Sequence, residues 1–192
     1  MKPGMLRMVM VVAVVVQAMV AAAGLVVAVI ALREAIGQPT LEEIAADIAA
    51  AAAKDMREIR QVIADEATAA RTGDVDGAVE LYAPNAVVRD GQAEIGKALG
   101  VLPPNVQSTW SGFDEIRDRY THLEKFNELH HVDVTVTFEQ GGQIARAVGS
   151  TSGEMVTADG STTPISSIDG EMWTFQKIGG TWKIISFTYN AR

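Results

Sequence analysis

Residues 128–139 read ELHHVDVTVTFE. Val132, Val134, Val136 and Phe138 alternate with Asp133, Thr135 and Thr137. Successive side chains of a strand point to opposite faces, so this is the period of a half-buried β-strand and not of a helix. Carried backward, the same parity puts His130 on the apolar face and His131 with Asp133 on the outer one. Downstream, Gly141-Gly142 turns the chain into a second strand over 143–156, and Asp159-Gly160 turns it towards a third over 165–178. Gly179-Gly180 leads into a fourth over 181–190. Four strands in succession, preceded by helices, predict an antiparallel meander and the α+β class.

Upstream, Leu41, Ile44, Ile48, Met56, Ile59, Ile63 and Ala67 fall at spacings of three, four or their sums. That is the stripe of an amphipathic helix over Leu41–Thr72. Gln38-Pro39 breaks the chain before it, Thr40 and Glu43 have the spacing of a capping box, and Gly73 is placed to end it. At ~1.5 Å per residue the helix is over about 40 Å long, and its alanine-rich first half reads as a stalk. A short helix capped by Asp74 follows, then Pro84-Asn85 turns the chain into a brief strand over 86–89. The Gly- and Pro-rich stretch 91–111 reads as a loop with a short helix at 94–99, placed to cover a cavity mouth.

Residues 8–32, MVMVVAVVVQAMVAAAGLVVAVIAL, carry no charge. A run of this length is enough to cross a hydrocarbon core of about 30 Å. A cleaved signal peptide and a buried core helix are the competing readings. The apolar run continues past the small residues Ala21-Ala22-Ala23, and it has no polar stripe. It is therefore read as a retained single transmembrane helix, with Ala18, Ala22 and Gly24 as a small-residue face for a neighbouring helix. Lys2 and Arg7 precede it, and only Arg33 is basic between it and Lys54. The positive-inside rule then puts residues 1–7 in the cytoplasm, with a stalk (33–51) and a domain (52–192) on the periplasmic or outer side of the cell membrane.

The chain of 192 residues has a net charge of −8 and no cysteine. Such an acidic chain, with no basic cluster, is a poor partner for nucleic acid. His122, His130 and His131 make no metal-ligand pattern, because neighbouring histidines on a strand point opposite ways. No cofactor-binding motif is present, and none is expected.

Residues 73–90, GDVDGAVELYAPNAVVRD, follow a long first helix. Gly112-Phe113-Asp114-Glu115-Ile116-Arg117 opens a later helix, and residues 171–184, EMWTFQKIGGTWKI, form a closing hairpin. In this order and spacing, residues 52–190 resemble the SnoaL-like branch of the nuclear transport factor 2-like superfamily. The resemblance implies a cone of three helices packed on a curved antiparallel sheet, a cavity between them, and frequent dimers through the sheet. It also implies that an enzyme of this kind would use a carboxylate or histidine inside the cone as general acid or base. His130 and Glu171 are the candidates, with Asp169 beside them. Tyr82, Trp110, Tyr120 and Trp173 stand where the family lines its cavity, and equally where a core would be packed.

Two functions follow. The first is a non-catalytic accessory subunit, anchored in the bilayer and binding other membrane-protein subunits; anchored cones of similar layout occur in type IV secretion and lipid-transport assemblies. The second is a membrane-tethered isomerase, cyclase or dehydratase, or a binder of a small apolar ligand. A buried carboxylate or histidine in a roomy cavity favours the second. A cavity filled by Tyr82, Trp110 and Trp173 excludes it.

Overall fold

The computed structural model describes residues 39–139 and 141–191. The chain forms two compact units, Met1–Ala52 and Ala53–Arg192. The expected span at 8–32, its packing residues Ala18, Ala22 and Gly24, and the basic residues that set its orientation lie outside the described residues. Among the described residues no helix is long and apolar enough to cross a membrane.

Helix α1 is Leu41–Thr72. Its capping box is formed: the Glu43 amide donates to Thr40 Oγ1 (3.1 Å) and the Thr40 amide to Glu43 Oε2 (2.7 Å). Gly73 closes it in the left-handed region at φ +72°, a conformation that costs glycine nothing. The apolar stripe is only partly used. Leu41 and Ile48 stay exposed, whereas Ile59, Ile63 and Ala67 are buried. Helix α2 is Val75–Glu80, with the Asp74 side chain accepting the Gly77 amide at 3.0 Å. Helix α3 is Gly91–Ala98, capped by Asp90 through the Ala93 amide, and α4 is Gly112–Thr121. Helix α3 is the short helix expected at 94–99, begun three residues earlier because Asp90 caps it, and it adds to the three helices of the cone.

The strands are β1 Tyr82–Asp90, β2 Thr109–Ser111, β3 Phe126–Phe138, β4 Ile144–Val156, β5 Thr162–Ile178 and β6 Thr181–Tyr189. They form one sheet in the order β2-β1-β6-β5-β4-β3. The meander β3–β6 is antiparallel throughout. The expectation of a wholly antiparallel sheet is corrected at one place: β1 pairs with β6 in parallel. No hairpin joins those two strands, so nothing in the connection forces them to run in opposite directions.

One irregularity decides what faces the interior. Between Val132 and Thr135 strand β3 advances three residues while its partner β4 advances from Ser150 to Val148. The extra residue is Asp133, held at φ +54°. A bulge of one residue reverses the parity of everything on one side of it. Val134, Val136 and Phe138 therefore share the inner face with Leu129 and His131. This corrects the placement of His130 inside and His131 outside: His130 is exposed, while the His131 side chain is only 4% exposed.

The core packs α1 against the sheet. Trp173 and Phe187 stack at 5.1 Å with planes 3° apart, and both are buried, as are Ile59 and Ile63 from the helix. Asp55 fixes the helix to the two last strands, accepting from Lys177 Nζ (2.5 Å) and Trp182 Nε1 (3.1 Å). Next to this dry region the layers separate and leave a cavity.

Candidate functional site

The cavity is about 810 Å³ and open to solvent, large enough for a small organic molecule. Its lining draws on every layer: Glu66 from α1, Arg119 from α4, Trp110 from β2, His131 from β3, Thr151 from β4 and Glu171 from β5. Apolar walls come from Leu129, Ile165 and Phe187.

Glu66 sits three residues after Ile63 on the buried face of α1, and its side chain is 3% exposed. A carboxylate held there needs partners. Its Oε2 lies 2.9 Å from His131 Nε2, and its Oε1 accepts a short hydrogen bond from the Tyr120 hydroxyl. Tyr120 in turn lies 3.0 Å from the hydroxyl of Tyr82. On the far side of the imidazole, His131 Nδ1 is 3.2 Å from Thr151 Oγ1. The ring stands edge-on to Trp173 at 5.0 Å and to Phe187 at 6.1 Å. An ionised carboxylate only accepts, so His131 Nε2 donates to Glu66, which leaves Nδ1, beside Thr151, as the acceptor nitrogen of the neutral ring. Burial alone drives the Glu66 carboxyl up. The hydrogen bond and charge of His131, the Tyr120 hydroxyl and the Arg119 charge outweigh it and hold the group below the ordinary glutamate value.

Glu171 is a second carboxyl in the wall, 3% exposed. Its Oε1 accepts from Ser167 Oγ at 3.1 Å, while Oε2 has no hydrogen-bond partner. Here burial wins, and the carboxyl is pushed above its ordinary value despite the pull of His131 and the Thr151 and Ser167 hydroxyls. Two carboxyls with pKa values driven apart share one cavity, which is the usual arrangement for acid and base roles.

Arg119 is buried beneath an aromatic cover. Its guanidinium carbon lies 4.7 Å from the Tyr189 ring centre, 5.0 Å from that of Tyr120 and 5.6 Å from that of Trp110. Burial disfavours its charge, but the electrostatic surroundings formed by Tyr120, Tyr82, Tyr189 and Glu66 outweigh it and hold the group above the ordinary arginine value.

Of the residues singled out in the sequence, Glu171 and Trp110 line the cavity. His130 is exposed on the outer face of β3. Tyr82, Tyr120 and Trp173 belong to the core: the two tyrosines pack behind Glu66, and Trp173 packs beneath His131. Asp169, at φ +49°, lies where β5 carries extra residues opposite Ser150, whose Oγ accepts its amide at 3.1 Å. The site residues missed by sequence reasoning are Glu66, His131 and Arg119. Among the described residues no cluster of side chains suits a metal ion.

No curated protein sequence matches the chain significantly. Solved structures do. A ketosteroid isomerase-like protein from Erwinia carotovora atroseptica is 17% identical over 69% of this chain and 92% of its own, with a TM-score of 0.53. A nuclear transport factor 2-like protein with a cystatin-like fold from Novosphingobium aromaticivorans is 18% identical over 78% and 88%, with a TM-score of 0.56. A hexachlorocyclohexane dehydrochlorinase is 10% identical over 70% and 83%, with a TM-score of 0.53. At such identities the likeness is one of fold. A family model described as the SnoaL-like domain matches residues 51–188, most of the chain, and the protein belongs to that family.

Proposed function

We propose that the cone is the active site of a proton-transfer enzyme, an isomerase, cyclase or dehydratase acting on a small, largely apolar molecule. The observation that carries this reading is the hydrogen-bonded Glu66–His131 pair, buried in the wall of an open cavity. A structural ion pair in a core gains nothing from adjoining a cavity; a general base requires it.

Glu66 orients the imidazole by accepting its Nε2 proton in a hydrogen bond. His131 Nδ1 takes a proton from carbon or oxygen of the substrate, and the Thr151 hydroxyl beside it swings away or passes that proton on. Glu171, held towards its protonated form by burial, returns a proton at a second position. An apolar enclosure strengthens each of these interactions. Further support comes from two neighbours of the same fold, one named for its likeness to an isomerase and one named as a dehydrochlorinase. The accessory-subunit reading draws on the apolar run at 8–32, which lies outside the described residues. Of the aromatic residues that would have filled the cavity, Tyr82 and Trp173 pack in the core, and Trp110 lines the wall of a cavity that stays open.

The test is to incubate the full chain with a panel of cyclic ketones and β-hydroxy ketones, each with and without a carboxylate substituent. Double-bond migration and water loss are followed by ultraviolet absorbance and mass spectrometry. General-base catalysis contributes roughly 10²–10⁴-fold, so His131→Ala should lose at least about a hundredfold of any conversion while keeping its circular dichroism. Conversion that survives His131→Ala undiminished contradicts the proposal, and so does a panel with no conversion at all.

A further inference from the structure

Arg119 is the buried charge that the proton-transfer chemistry does not use. The residue is 9% exposed, lines the cavity, and forms no ion pair within 4.0 Å among the described residues. Its Nε and Nη1 are buried without a hydrogen-bond partner. The Tyr189 hydroxyl interacts with both the Arg119 guanidinium and the Asp90 carboxylate, which still leaves Nε and Nη1 without an acceptor, and Glu66 is already engaged by His131 and Tyr120. Aromatic faces attract a cation but cannot accept all the hydrogen bonds of a guanidinium. A buried cation left short of acceptors costs free energy that a ligand anion would recover. A cone that needed only an apolar pocket would place a leucine here.

We infer that Arg119, enclosed by Trp110, Tyr120 and Tyr189, is the carboxylate-binding subsite of the cavity. The ligand of this protein is therefore a small ring or chain bearing a carboxylate. The planar guanidinium suits a carboxylate in shape and charge, and Trp110 and Tyr189 offer flat faces to the body of the ligand. Anchored at Arg119, the rest of the molecule extends towards His131 and Glu171. The inference rests on the cavity being the ligand site, as proposed above, but not on any turnover there.

The test uses binding alone. Benzoate and its neutral isostere benzamide are titrated into the full-length protein by calorimetry and by tryptophan fluorescence. A charge-assisted bond to a buried guanidinium predicts that benzoate binds the wild type at least about tenfold more tightly than benzamide. Arg119→Gln should bring the two within about twofold while leaving benzamide binding in place, and Arg119→Lys should keep part of the preference. Equal binding of the two probes by the wild type overturns the inference whether or not Arg119→Gln folds. So does a preference that persists in Arg119→Gln, or a failure of both probes to bind. Lost preference with intact turnover removes the subsite alone; intact preference without turnover removes only the enzymatic reading.

Discussion

Replacing His131 by alanine removes one half of a buried pair and leaves the other. The Glu66 side chain is 3% exposed, so its carboxylate would keep only the Tyr120 hydroxyl as a close partner. Breaking such a pair by deleting one member typically costs about 3–5 kcal/mol, much of it the uncompensated charge. The edge contacts of the ring with Trp173 and Phe187 add about 0.5–1.5 kcal/mol. Water from the adjoining cavity can reach the vacated space and rehydrate Glu66, which pulls the sum back to about 3 kcal/mol. Glu66→Gln keeps an acceptor for one neighbour, turns an amide donor towards the other, and loses the charge, so it should cost about 1–2 kcal/mol. In Glu66→Gln the later loss of His131 strands no charge, so the double variant should fall short of additivity by about 1–2 kcal/mol. Urea unfolding of the four proteins at neutral pH measures this cycle. The pH dependence has a definite sign. The Glu66 value is depressed in the folded state, so its stabilisation is present above the ordinary value of 4.5 and is lost as pH falls through the folded value. The gap between wild type and His131→Ala should therefore narrow on acidification. A cost below about 1 kcal/mol for His131→Ala, together with additive single effects, refutes the reasoning.

The remaining predictions concern the second carboxyl and the backbone around the site. Glu171 is raised in the folded state, so its penalty appears as pH rises through that folded value. Glu171→Gln should thus be more stable than wild type near about pH 8, with the difference vanishing near about pH 3, read as Tm against pH. Asp133→Val places a β-branched residue at φ +54° and should cost about 1–3 kcal/mol, whereas Asp133→Gly should be close to neutral; urea midpoints decide between them. A Cβ on Gly153 would sit 2.1 Å from the Glu128 carbonyl oxygen, inside the β3–β4 pairing. Gly153→Ala should therefore lower Tm by several degrees, corresponding to more than about 2 kcal/mol. Asp55→Ala releases both Lys177 and Trp182 and should cost about 1–2 kcal/mol in the same assay.

Elements with strong local signals were legible in the sequence. The Thr40–Glu43 box, the Gly73 stop, and the Gly179-Gly180 turn at φ +60° and +85° each need no tertiary context, and each is present. The meander follows from alternation and from those turns. The site was less legible because it depends on a break in that alternation. A strict two-residue period carried through Asp133 assigns His130 to the interior, and the one-residue bulge assigns His131 instead. The signal was an aspartate, a residue tolerant of positive φ, in the middle of a valine run. Glu66 carried a signal too: it occupies the same helix face as Ile59 and Ile63, where a charge is costly without a partner. Arg119 shares the face of Ile116 and Tyr120 on α4, yet its place in the cavity depends on β2 and β6, which no local pattern joins to it. The parallel pairing of β1 with β6 was illegible for the same reason, since it links strands about a hundred residues apart.

The most direct measurement is uptake of solvent deuterium by carbon. The full chain is placed in deuterium oxide with the ketones of the panel, and label at the α-carbon is read by mass spectrometry, with no need for net conversion. A His131–Glu66 base predicts enzyme-dependent labelling of at least one member, slowed at least about a hundredfold by His131→Ala and about tenfold or more by Glu66→Gln. Labelling that matches the protein-free rate, or that both variants leave unchanged, contradicts a proton-transfer role for the pair.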